Sequence, residues 1–230
     1  MPPLPLQRFL CQPVASMDIP ILFRDDRVVV LDKPAGLPVH PGRAGGPSVE
    51  DYFHALSRRR DGPWLAHRLD TDTAGCLVVA LRKAALIAVQ AEFAAGHAQK
   101  TYWAVVQGGP VENAGSLSAP LLKVTQGRMW KMQVAQAGQP AVTDWKVLGR
   151  GVGVAWLELR PRTGRTHQIR AHCAALGAPI LGDAVYGAGG GALHLLARAI
   201  TFALVPPVSA VAPPPGHMHG MLRSCGWSGD

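Results

Sequence analysis

Acidic residues are scarce in this 230-residue chain: 15 Asp and Glu stand against 23 Lys and Arg, a formal net charge of +8. Lysine is scarce as well, with 17 Arg to 6 Lys. The four cysteines, Cys11, Cys76, Cys173 and Cys225, lie far apart and form no C-x-x-C pair. That spacing gives no support to a zinc ribbon or a dithiol redox centre. They read as free thiols, with Cys76 and Cys173 as small core residues. No apolar run approaches the roughly 18–20 residues that cross a bilayer. Residues Met1–Val14 are Pro-rich, carry only Arg8 as a charge and lack a continuous apolar stretch or a cleavage site of small residues. The expected compartment is therefore the cytoplasm, with no membrane partner. Also missing are H-E-x-x-H, a G-x-S-x-G elbow, and the Lys-Ser/Thr ending that would make Gly187–Gly191 a phosphate-binding loop.

What is present belongs to a folded protein, with 48% apolar and 17% charged residues. A pI near 9.8 points to a polyanionic partner. The imbalance deepens along the chain. From Trp145 onward there are 8 Arg or Lys and only 3 acids, Glu158, Asp183 and Asp230. Arg presents a planar fork suited to phosphates and base edges. An Ala/Gly/Pro/Arg-rich composition can also reflect genomic base bias, so charge alone leaves the partner open.

Val- and Ile-rich strands are expected over Ile19–Arg24 and Arg27–Leu31, then a Pro/Gly-punctuated loop to Gly42. Ser48 and Asp51 read as a capping box for a helix from Val49 that frays into Arg58-Arg59-Arg60. Trp64–Leu69 and Cys76–Leu81 read as strands flanking the turn Asp70–Gly75. Lys83–Ala95 reads as a helix stopped by Gly96. Further strands are expected over Thr101–Gln107, Met129–Ala135, Val142–Leu148, Val154–Arg160 and Leu193–Leu204. A helix is expected from near Thr166 to Gly177, with Ile169, Cys173 and Leu176 on its buried stripe. Many strands and about three helices, not alternating, give an α+β class with a mixed, largely antiparallel central sheet, flanking helices and a cleft. The expected organisation is an extension over 1–18, one catalytic domain over 19–205 and a Pro/Gly-rich tail over 206–230, surface-hugging or disordered.

Two segments concentrate chemistry. In His67-Arg68-Leu69-Asp70, period-2 alternation along a strand puts Arg68 and Asp70 on one face. On its own, an Asp at a strand end is usually a turn residue bonded to nearby amides. Arg160–His172 packs four Arg and two His around a helix start, where free amides favour anions. A solvated basic face and a phosphate site both fit it. In Lys100-Thr101-Tyr102-Trp103 the two aromatics alternate faces, so one can line a cavity while the other packs. His217 and His219 read as an exposed tail pair rather than a metal site.

Taken in order, Asp32-Lys33-Pro34-Ala35-Gly36-Leu37-Pro38-Val39-His40-Pro41-Gly42, His67-Arg68-Leu69-Asp70 with Thr73 and Gly75, and Gly164-Arg165-Thr166-His167-Gln168-Ile169-Arg170-Ala171-His172 resemble the signature of RluA-type pseudouridine synthases. Lys100-x-Tyr102, Pro179–Asp183 with Tyr186-Gly187, and Leu193-His194-Leu195 agree with it, and the likeness spans Ile19 to Phe202. The pattern departs at Ala74, where the family usually has Ser, and at Leu195-Leu196, where a second aliphatic-His pair is usual. Only about 18 residues precede Ile19, too few for a separate RNA-binding domain.

The resemblance implies a cofactor-free, metal-free isomerase that flips a uridine of structured tRNA or ribosomal RNA into a pocket and acts as a monomer. It implies Asp70, Tyr102 and Arg170 as the catalytic set, with Arg170 paired to Asp70 and Tyr102 stacked on the base. Arg68 would fill the vacated stack, and His67, Arg165, His167, Gln168 and Lys33 would serve flipping or RNA binding. The competing reading is a non-catalytic RNA-binding or chaperone protein that keeps the fold. A metal-dependent hydrolase using scattered His and Asp is more remote.

Overall fold

The computed structural model describes residues 19–42, 45–127 and 129–229, so the extension expected over 1–18 lies outside the described residues. β1 (Ile21–Arg24) and β2 (Val28–Lys33) form a hairpin because Asp25 Oδ1 accepts the amides of Arg27 and Val28, both at 2.7 Å. A 3-10 turn (Val49–Tyr52) runs into α1 (Phe53–Leu56), where the Ser48 amide donates to Asp51 Oδ2 at 2.8 Å as the capping-box pattern requires. Next come β3 (Trp64–Leu65), β4 (Ala74–Ala80), α2 (Lys83–Ala94) and β5 (Gln99–Gln107). They are followed by β6 (Ala114–Ser118), β7 (Leu121–Gln126), β8 (Met129–Val134), β9 (Val142–Gly151) and β10 (Val154–Pro161). The chain finishes through α3 (Gln168–Ala175), β11 (Leu195–Phe202), β12 (Val208–Val211) and α4 (Gly216–Ser224).

Ten strands build one sheet in the order β1-β2-β4-β11-β5-β10-β9-β6, with β3 paired to β4 and β12 to β11, while β7 and β8 make a separate ribbon. Every described pairing is antiparallel except β4 with β11. The class is α+β. Alternation along β2 sends Val28 and Val30 to a cluster with Val78 and Phe202, and Val29 and Leu31 to another with Leu77 and Leu56. The centre of the sheet is thus buried on both faces, which suits its branched side chains.

Three expectations change. The first concerns β3, which ends at Leu65 rather than running to Leu69. After Ala66 donates to the Val78 carbonyl, the Val78 amide turns to the His67 Nε2 at 3.0 Å instead of a backbone carbonyl. An imidazole thus replaces the next ladder bond, and the chain leaves the sheet before Asp70. Second, β6 and β7 carry too little alternation to be read from sequence.

Third, the segment after residue 205 belongs to the packed fold and is no appended tail. β12 pairs with β11, and Met218 and Leu222 of α4 are fully buried in the cluster that holds Val78 and Phe202. Gly149 in β9 lies so near the Cys225 carbonyl that a Cβ there would sit 1.8 Å from its oxygen. Leu222→Ala should therefore destabilise the protein by about 2–4 kcal/mol, the cost of emptying a buried leucine site. Urea unfolding checks this, and an unchanged midpoint would show α4 to be dispensable.

Candidate active site

Asp70 opens a turn in which the Thr73 amide donates to the Asp70 carbonyl at 3.1 Å. The turn is held from beneath. Lys33 is wholly buried at the end of β2, and its ammonium donates to the carbonyls of Pro34, Leu37 and Thr71 at 2.8–2.9 Å. Burial pushes the Lys33 amine down to about 8, opposed by the charges of Asp72 and Asp70. Lys33 therefore cannot touch RNA, contrary to the role expected from sequence, because all three of its donors are spent on the protein interior. The Gly36 amide adds a second bond to the Thr71 carbonyl at 2.9 Å. Gly75, two residues past Thr73, has φ +104, and a Cβ there would lie 2.3 Å from the Ala197 oxygen, so only glycine lets β4 meet β11 at this point.

The facing wall comes from the segment entering α3. Gln168, expected to bind RNA, is buried and fully engaged. Its Oε1 accepts the Thr163 hydroxyl at 2.7 Å and the Arg165 amide at 3.0 Å, while Nε2 donates to the Val142 carbonyl and Thr143 Oγ1, each at 3.0 Å. Its work is to shape the loop that presents exposed Arg165. The basic face expected on this helix is in fact interior: Arg170 and His172 are both buried. Arg170 gives its fork to Asp183, Nε to Oδ2 at 2.7 Å and Nη2 to Oδ1 at 2.8 Å. Asp183 Oδ1 also accepts the amides of Val185 and Tyr186. Burial works against the ionised Asp183 carboxylate, but the Arg170 and amide bonds outweigh it and hold its pKa below the usual value.

Arg170 thus has Nη1 left for the cleft, 3.6 Å from Asp70 Oδ2. His167 Nε2 is 3.7 Å from the same oxygen. Burial lowers the His167 pKa, so only Arg170 makes a charge contact. Both distances are longer than hydrogen bonds, and among the described residues no donor lies within bonding distance of the Asp70 carboxylate. The pairing expected between Arg170 and Asp70 is therefore present only as a long contact, secondary to Asp183.

Tyr102 in β5 faces the cleft, while Trp103 turns to the other side and packs edge-on to Trp156 at 4.7 Å. Burial, with the nearby Asp70 charge, pushes the Tyr102 hydroxyl well above its ordinary value, so it stays a neutral donor. The cleft these groups enclose has a volume of about 470 Å³ and is also lined by Arg68, Phe93 and Lys100. Arg68 is exposed at the cleft and makes no hydrogen bond or ion pair among the described residues. His67 lines the wall with its Nε2 already used, and its ring lies 5.0 Å from Phe93.

The sequence motifs included Asp183 and Tyr186 without giving Asp183 its place as the buried counter-ion, and did not single out Trp130 of β8, whose ring stacks on His167 at 4.8 Å and 28°. Only a folded ribbon brings Trp130 there. Among the described residues no cluster of three His, Cys, Asp or Glu could hold a metal. His217 is exposed as expected and His219 half-buried, and their rings bond the Leu193 and Pro214 carbonyls.

Asp70, Tyr102 and Arg170, the set that the resemblance implied, line one cleft, with the Asp70 carboxylate free of close donors. The profile of the RNA pseudouridylate synthase family matches residues 27–175, which include Asp70, Tyr102 and Arg170. The chain belongs to the RNA pseudouridylate synthase family. An RNA pseudouridine synthase of Zymomonas mobilis is 41% identical over 170 residues, covering 73% of this chain and 78% of the relative. Ribosomal large subunit pseudouridine synthase D of Xanthomonas campestris is 44% identical over 191 residues, 79% of this chain and 55% of that protein. The solved human RNA pseudouridylate synthase domain containing 4 superposes with a TM-score of 0.75 at 28% identity, covering 89% of this chain and 92% of that one. The synthase is by family an isomerase that needs its substrate base unstacked.

The His67 ring gives this synthase a pH signature. Burial pushes its pKa down to about 4 from an ordinary 6.5. Between those values the unfolded chain binds the proton and the folded one does not, so stability falls as pH drops from 6.5 toward 4. The loss should amount to roughly 3 kcal/mol. His67→Gln keeps a side-chain acceptor but cannot titrate, so its urea midpoint should depend less on pH across that window. Parallel curves for the two proteins would refute this.

Proposed function

We propose that the synthase isomerises a uridine of ribosomal RNA, with Asp70 as the catalytic carboxylate. The observation that carries this reading is the Asp70 side chain itself, donor-free and facing a 470 Å³ cleft with Arg170 Nη1 at 3.6 Å. The relative named as a ribosomal large subunit synthase favours ribosomal RNA over transfer RNA. Every group the reading needs comes from one chain, so a monomer suffices.

The isomerisation breaks the bond from ribose C1′ to N1 and joins C1′ to C5 of the same uracil, so C5 loses a proton and N1 gains one. Asp70 carries the bond-breaking step at the sugar, as nucleophile or base. Arg170 balances its charge without covering it. Tyr102 offers its ring to the flipped base and a hydroxyl that stays protonated. Arg68, unpaired at the mouth, enters the stack that the base leaves, and Arg165 holds a neighbouring phosphate.

RNA labelled with tritium at uridine C5 tests the chemistry, because each turnover must release one label to water. The wild-type protein should release it from ribosomal RNA, and Asp70→Ala should slow release at least about 10³-fold. Equal release by Asp70→Ala would remove the carboxylate from the mechanism. RNA binding without any release by the wild type would favour the chaperone reading, and release from transfer RNA alone would replace the substrate. Arg165→Ala should lower the slope of log affinity against log salt by about 0.7–0.9, the share of one phosphate contact. An unchanged slope would take Arg165 off the backbone.

A further inference from the structure

The β7–β8 ribbon stands apart from the ten-stranded sheet and shows solvent an unusual surface. Met129 is 71% exposed and Trp130 38%, and the ammonium of exposed Lys123 lies 4.7 Å from the centroid of the Trp130 ring. Its inner side is seated through Leu121 and Met132, which pack with Ala141 and Ala171 against Tyr186.

The seat converges on one imidazole. Trp130 stacks on His167 directly. Met132, two residues along the same strand, donates its amide to the Tyr186 hydroxyl at 2.8 Å, and that hydroxyl lies 3.1 Å from His167 Nδ1. The other ring nitrogen lies 3.3 Å from Arg170 Nη1 and 3.7 Å from Asp70 Oδ2. His167 is also the one described non-glycine residue with a left-handed backbone, at φ 50°. Such a conformation is strained for most side chains and persists when surrounding contacts hold it. Here the holding contacts come from the ribbon on one side and the cleft on the other.

We propose that Trp130 and His167 are a positioning pair, through which RNA gripping the ribbon draws Arg170 from charge contact into hydrogen-bond contact with Asp70. The closure needed is short, from 3.6 Å to the roughly 2.8 Å of a charge-assisted bond. Catalytic contacts that are long in the free enzyme and tighten with substrate are common. A ribbon seated through one ring on a strained residue is built to transmit such a shift. The pair does no chemistry, and the inference rests on the synthase reading above.

The test compares single-turnover rate with RNA affinity. Trp130→Ala should lower the rate about 10- to 100-fold, the scale of misplacement by about an ångström, while Kd changes less than about threefold. Trp130→Phe keeps a ring for His167 and should recover most of the rate. His167→Asn keeps a residue tolerant of the left-handed backbone and removes the ring, so it should match Trp130→Ala. The double variant should be no slower than either single one, because both break the same link. A Trp130→Ala rate within twofold of wild type would overturn the proposal. So would a loss confined to Kd, which makes the ribbon a grip alone, or additive losses in the double variant. Absence of turnover in the wild type would instead strike the synthase reading.

Discussion

The buried pair of Arg170 and Asp183 is the constraint on which the cleft depends. Two charges taken from water are costly unless every lone pair and proton is matched. Here the fork is bidentate and the carboxylate also takes two backbone amides. The match leaves Arg170 with one nitrogen to spare, and the geometry of the pair aims it at Asp70. A weaker counter-ion would leave the guanidinium without a fixed orientation, and Nη1 would no longer be aimed at Asp70. The same loop supplies Tyr186, so the residue that fixes Arg170 also fixes the neighbour of His167.

Beneath Asp70 the logic repeats with a lysine. Three carbonyls of turns are gathered by one ammonium, which draws the Pro- and Gly-rich loop after β2 and the turn at Asp70 into one body. His67 completes the support by taking a ladder amide from β4. One edge of β4 is thereby divided between β3 and β11, and the catalytic turn occupies the gap. Rigidity below and openness above suit a site that must receive a base rather than hold one.

Much of this was legible in the residues. Alternation located β1, β2, β4, β5, β9, β10 and β11, and the stop glycines located α2 and α3. Asp70, Tyr102 and Arg170 were found from ordered motifs, and the fold brings them to one cleft. What could not be read depends on burial decided elsewhere. Lys33, Gln168 and Arg170 sit in basic or polar motifs that look exposed, yet each is interior because a partner from another segment completes its bonding: the Thr71 carbonyl for Lys33, Val142 and Thr143 for Gln168, Asp183 for Arg170. Sequence neighbours alone do not announce those partners. The segment after residue 205 looked like a tail because it is rich in proline, while Val208, Met218 and Leu222 are fully buried. Trp130 was unreadable for a different reason, since its value lies in a stacking partner nearly forty residues away.

The one parallel pairing has a consequence for how the enzyme is made. Ala74 and Gly75, at the end of the catalytic turn, meet Leu196 and Ala197, partners separated by most of the chain. Contacts this distant in sequence form late, after nearer pairings have already closed their loops. During synthesis from the N-terminus, the ribosome has released Asp70 long before it delivers the strand that completes its surroundings. A nascent chain therefore carries Asp70 before the strand that completes its cleft has been made.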